Sequence, residues 1–102
     1  MNLQDMIKSA HVSSMVYYKT RLQTFVNWPL MNPKPTNLAK AGFFHRRSDL
    51  VMCFYCGLCM HQWLSSDDPV LEHAPCSPNC RYIIYLLGHQ LHSEIIAGFN
   101  KK

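Results

Sequence analysis

Cys53-Phe54-Tyr55-Cys56-Gly57 decides the fold, together with His73 and Cys80 farther along the chain. The four side chains are spaced C-x2-C-x16-H-x6-C. Three thiols and one imidazole in that order can close a tetrahedral shell around one Zn²⁺, each thiol binding as thiolate with Zn–S of about 2.3 Å. The C-x2-C half makes a tight knuckle, and Gly57 after it supplies the positive φ that lets backbone N–H groups turn toward the thiolates. Such a closed shell leaves no open coordination position, and three thiolates lower the Lewis acidity of the ion. The ion is expected to be structural and the chain not an enzyme. Spacing alone leaves Cys76, three residues after His73, as a substitute for Cys80, and Cys59 lies near the knuckle.

Around this centre, 102 residues make one domain, small enough that apolar burial alone leaves it marginal. A bound ion can contribute about 10–16 kcal/mol, comparable to the whole stability of a typical fold. With 48% apolar and 16% charged residues the chain is not of the disordered class. Met1 to Ala10 carry Asp5 and Lys8 among Leu3, Met6 and Ile7, which is not the uninterrupted apolar core of a secretory signal. No span reaches the roughly 18 apolar residues of a membrane helix. Residence in the cytoplasm or nucleus is expected, where five cysteines, an odd number in a reducing compartment, favour metal over disulfides. The formal charge of +4 falls to +3 once three thiolates and one Zn²⁺ are counted. Lys and Arg are scattered from Lys8 to Lys102, with Arg46-Arg47 and Lys101-Lys102 as the only pairs, so no phosphate-binding stripe is visible. Neither nucleic acid nor membrane is an expected partner. His92-Ser93-Glu94 and Pro75-Cys76-x3-Cys80 imitate the elements of a zinc deaminase. Their order is reversed and the cysteines stand one residue too far apart.

An α+β fold follows from the periodicities. Leu3, Met6, Ile7 and Ala10 behind Asn2 suggest a short helix or arm over 1–14. Ser13 or Ser14 opens a helix with Met15, Tyr18, Leu22, Phe25 and Val26 on one face and Lys19, Arg21 and Gln23 elsewhere, ended by Trp28-Pro29. Asn32 to Thr36 reads as a loop because of its two prolines, and Thr36 as the cap of a helix that stops at Gly42. Phe43 to His45, Leu50 to Phe54 and Met60 to Trp63 read as three antiparallel strands. Asp68-Pro69 opens a helix carrying His73, and Ser77-Pro78 opens one that buries Tyr82, Ile83, Ile84, Leu86 and Leu87 before Gly88. Leu91, Ile95 and Ile96 suggest a last short helix in 89–102.

Several elements together resemble the baculovirus inhibitor-of-apoptosis repeat, the BIR domain of the inhibitor-of-apoptosis (IAP) family. They are Arg21-Leu22-x-Thr24-Phe25-x-x-Trp28-Pro29, Leu38-Ala39-x-Ala41-Gly42-Phe43-Phe44 and Asp49-x-Val51-x-Cys53-Phe54-x-Cys56-Gly57. Trp63, Asp67-Asp68-Pro69, Glu72-His73 and Pro78-x-Cys80 continue the series, so that the resemblance covers about residues 15–88. It implies a zinc-stabilised fold of three strands and four to six short helices, with Cys53, Cys56, His73 and Cys80 as ligands.

The resemblance also implies a binding module of apoptosis regulators. Groove-bearing BIR domains capture the free N-terminus of peptides that begin with alanine, found on caspases and on IAP antagonists of the Smac and Reaper kind. Such a peptide adds as a strand beside the third sheet strand, here Met60, His61 and Gln62. The carboxylate for its α-amine falls on Asp67, aided by Gln62 and Glu72, and the alanine methyl would lie against Trp63 and Met60. Leu50, Val51 and Met52 would border the fourth peptide residue, and Cys76 the third. Plainer roles stand beside these. Asp67 and Asp68 are ordinary helix-start residues, Trp63 is a natural core residue, His61 a surface strand residue, and Arg21 a maker of structural contacts. Cys59 stands where deep-groove members have glycine, and Cys76 where many have tryptophan. Loss of that aromatic platform costs about 1–3 kcal/mol. A survivin-like scaffold is the alternative, although survivin-like chains continue into a long C-terminal helix. The 102 residues hold no second cysteine/histidine cluster of RING type that could recruit a ubiquitin-conjugating enzyme.

Overall fold

Phe43 to Cys53 folds back on itself as two strands, and this hairpin is the floor on which the rest is laid in the computed structural model, which describes residues 1–100. Lys101 and Lys102, a basic pair at the end of the expected C-terminal flank, lie outside the described residues. Strands β1 (Phe43–Arg47), β2 (Leu50–Cys53) and β3 (Cys59–Met60) form one antiparallel sheet in the order β1-β2-β3. Phe43 faces Cys53 and Phe44 faces Met52, with an irregularity between His45 and Arg47; Val51 faces Met60. Helices α1 (Leu3–Ser9), α2 (Tyr18–Gln23), α3 (Pro35–Lys40), α4 (Pro69–Cys76), α5 (Arg81–Leu87) and α6 (His89–Asn100) surround it. Leu38, Ala39, Ala41, Phe43, Val51, Cys53, Phe54, Ala74 and Ile83 are sealed from solvent at the centre. No helix among the described residues is long and apolar enough to cross a membrane.

Local signals were correct where they were self-contained. Asn2 caps α1 through Asp5 N–H, and Asp68 caps α4 through the N–H groups of Val70 and Leu71. Gly88 ends α5 at φ 84°. Residues after α1 do not hang free: His11 N–H donates to Tyr55 O (3.1 Å) and Val12 N–H to Phe54 O (2.9 Å), tying the N-terminal segment onto the knuckle.

Four expectations are corrected. The long helix from Ser13 to Val26 is a 3-10 turn (Ser13–Met15) followed by the short α2. It ends where Thr24 turns its hydroxyl to Arg21 O (2.6 Å) and accepts His45 N–H of β1 (2.8 Å). The buried face differs accordingly, with Arg21 inside and Val26 84% exposed. Pro35 and Thr36 belong to α3, because proline at the first helical turn has no N–H to lose and a preset φ, so Thr36 is not the cap. α5 begins at Arg81 and not at Pro78, since Cys80 must face inward first; of its apolar residues Tyr82 and Ile83 are buried while Leu86 is 40% exposed. The third strand stops at Met60, and Gln62 turns into left-handed backbone at φ 58°.

Candidate functional site

The knuckle is built by its own backbone. Cys53 N–H donates to Leu58 O (2.8 Å), Gly57 N–H to Cys53 O (3.0 Å), and Tyr55 N–H points at Cys53 Sγ (3.4 Å). Gly57 takes φ 78°, which favours glycine, and a Cβ there would lie 3.2 Å from the His11 ring, a tight contact. α4 then delivers His73 and the residue before α5 delivers Cys80, both buried.

The ligand atoms of Cys53, Cys56, His73 and Cys80 all lie within 4.8 Å of one another. A tetrahedron with Zn–S of about 2.3 Å and Zn–N of about 2.0 Å has edges of about 3.5–3.8 Å. Cys56 Sγ and His73 Nε2 are 3.5 Å apart, so the spacing fits an ion. His73 Nδ1 donates to Ala41 O at 2.9 Å, which fixes the tautomer and leaves Nε2 as ligand. The four residues could therefore hold one metal ion. Cys80 is in the cluster, whereas Cys76 and Cys59 are exposed and outside it. The four groups interact electrostatically with one another. Hydrogen bonding from Cys53 and Cys80 holds the Cys56 thiol far below its usual range, while Cys53 is pushed up by the same sharing with Cys56 and Cys80. Burial opposes charge on His73, but hydrogen bonds to Cys56 and Cys80 outweigh it and push the imidazole up to about 9.

Arg21 is the second buried polar group. Its Nε donates to Ala39 O (2.9 Å), one amino group to Met15 O (3.0 Å) and Val16 O (2.9 Å), and the other to Tyr82 Oη (3.3 Å). The guanidinium lies 4.7 Å from the Phe54 ring centroid and 5.5 Å from that of Tyr82. Tyr82 Oη–H in turn donates to Lys40 O at 2.8 Å. Burial lowers the Arg21 pKa and raises that of Tyr82.

Residues expected at a peptide groove fall into two groups. Met60 is half-buried on β3, His61 and Gln62 are exposed just beyond it, and Asp67 and Glu72 line one cleft with Leu71 and Pro75 of α4 and Ile95 and Phe99 of α6. Cys76 is exposed at the last residue of α4. Leu50 and Met52 are half-buried, but Val51 points the other way and is fully buried, so it presents no surface to a ligand. Trp63 is only 8% exposed and packs edge-on against Phe43 at 5.8 Å. Two features escaped the sequence reading. The α6 contribution to the Asp67 cleft comes from a long-range contact, and Asp49, visible only as a motif letter, accepts backbone hydrogen bonds from Gln62 and Trp63.

Residues 21–84 match the family described as BIR: Inhibitor of Apoptosis domain. The chain is 40% identical over 88 residues to an inhibitor of apoptosis protein of Gallus gallus, covering 84% of this chain and 14% of that protein. It is 38% identical over 79 residues to Death-associated inhibitor of apoptosis 2 of Drosophila melanogaster, covering 76% of this chain and 16% of the relative. It spans only a small part of the length of these curated relatives. Among solved structures, DIAP1 BIR1 bound to a Grim peptide is similar, with a TM-score of 0.61 and 41% identity over 64% of this chain and 68% of that one.

Proposed function

Because this chain belongs to the BIR, or inhibitor-of-apoptosis, domain family, we propose that it is a zinc-stabilised binding module that captures the free N-terminus of peptides beginning with alanine. Caspases and their IAP antagonists of the Smac and Reaper class are the partners, and occupancy of the groove is how it regulates caspase activity. The observation that carries this reading is the open side of β3: among the described residues it pairs with β2 on one side only, and half-buried Asp67 follows its end by seven residues along the chain. An unpaired strand edge offers N–H and C=O groups to an incoming peptide, and a carboxylate such as Asp67 can receive its α-ammonium. A charge-assisted pair of this kind contributes about 1.5–3 kcal/mol. The relative bound to a Grim peptide supports the same reading. β3 is short, which suits a motif of a few residues better than a long strand.

Zn²⁺ is the ion we assign to the four ligands, on their chemistry: three thiolates and an imidazole in a closed tetrahedral set. When bound it cross-links the knuckle to α4 and α5. Peptide capture is tested by titrating a peptide starting Ala-Val-Pro-Ile against wild type and Asp67→Ala. Wild type binds and the variant loses at least tenfold; equal affinity for both removes Asp67 from the groove.

A further inference from the structure

Gln62, Trp63 and Leu64 present three consecutive backbone N–H groups, and two carboxylates accept from all three. Asp49 Oδ2 accepts from Gln62 at 2.7 Å and from Trp63 at 3.2 Å, and Asp67 Oδ2 accepts from Leu64 at 2.8 Å. Asp49 and Gln62 are far apart in sequence, and Gln62 sits at φ 58°, a conformation that a residue with a side chain adopts only when its surroundings impose it. Asp49 supplies that imposition. Its own place is built as well: it follows Ser48, at φ 46°, whose carbonyl lies 2.7 Å from His45 Nε2 in the β1–β2 turn.

We infer that Asp49 is a positioning residue for the peptide groove. By accepting from residues 62 and 63 it ends β3 after Met60 and fixes the backbone of Trp63. It also brings Leu64 to the point where its N–H orients the Asp67 carboxylate. Asp49 acts through these backbone groups. It sets the angle at which the open strand edge meets the acceptor of the α-ammonium, and an ion pair across a peptide terminus is sensitive to that angle because charge-assisted hydrogen bonds weaken steeply with misalignment. This inference rests on the peptide-binding reading above.

The test uses the whole zinc-loaded chain and two probes, the Ala-Val-Pro-Ile peptide with a free and with an acetylated N-terminus. Asp49→Ala is expected to lower affinity for the free peptide about tenfold and to narrow the ratio between free and acetylated peptide, with bound zinc unchanged. Amide exchange at Gln62 and Trp63 accelerates in the same variant. A merely structural residue would lower the folded fraction without moving the ratio. Asp49→Asn keeps the shape and a weaker acceptor; it gives the same change in smaller degree, and it is the variant read where Asp49→Ala does not fold. Variants that keep both affinity and ratio, while wild type discriminates between the two peptides, overturn this inference alone. A wild type that binds neither peptide ends the peptide-binding reading and this inference with it.

Discussion

The Arg21 node and the Cys53/Cys56/His73/Cys80 centre both gather segments distant in sequence, yet they do so in opposite ways. Arg21 joins the 3-10 turn region, α3 and α5 with donors that all find neutral acceptors in the chain itself. The cysteine and histidine centre joins the knuckle, α4 and α5, but its thiols compete for protons and one of them is driven to the anion. One node is satisfied by the polypeptide; the other could hold a metal ion. A buried polar cluster therefore reveals its role by what it lacks. Arg21 lacks nothing and is structural, whereas four converging donors with unsettled protons mark a place for an ion.

This contrast can be broken most sharply by removing the ion. A strong chelator, or Cys80→Ser, is expected to abolish cooperative unfolding, because a structural Zn²⁺ contributes about 10–16 kcal/mol, as much as such a domain can hold. Circular dichroism with and without chelator reads this; an unchanged melting transition would mean that the Arg21 node suffices by itself. Arg21→Met comes next, with a loss of about 3–5 kcal/mol, since buried carbonyl groups and Tyr82 lose their donor. Denaturant midpoints measure it, and zinc content should remain at one equivalent per chain, separating the nodes.

pH sharpens the comparison from the other side. In the metal-free cluster His73 is raised from 6.5 to about 9, so the imidazolium stabilises that state fully below pH 6.5 and progressively less as pH rises toward 9. The ion needs the neutral ring. Zinc affinity should therefore climb through this window by about tenfold per pH unit from the His73 proton alone, and more steeply in total because the Cys53 thiol must also shed its proton, read against a competing chelator. A His73→Ala variant with the same slope as wild type would mean that His73 is not a ligand. Tyr82→Phe is the mildest change: it removes the hydroxyl between Arg21 and Lys40 O and should cost about 1 kcal/mol, with no effect on zinc.

Much of the centre was legible because ligand chemistry and knuckle geometry are local. Cys53, Cys56 and Gly57 are contiguous enough for spacing to dictate the turn, and Asp68 and Gly88 announce helix ends by their own backbone preferences. Arg21 was read off the apolar face of its helix and expected to make structural contacts, but no local pattern tells that Ala39 O, Val16 O and the Phe54 ring will meet it in the core. The third strand was drawn too long for a like reason, since its end is set by Asp49 on another turn.

The sequence by itself determined the knuckle and His73 as ion ligands, with Cys80 favoured by family resemblance, and also the class of fold and the family, since each of these depends on residue type at fixed spacing. Only the tertiary structure decided that Cys80 joins His73 while Cys76 stays outside, that Arg21 is buried, that Val51 is core, and that Asp49 shapes the turn after β3. These are choices among groups far apart along the chain, and hydrogen-bond partners and burial exist only once packing has brought them together.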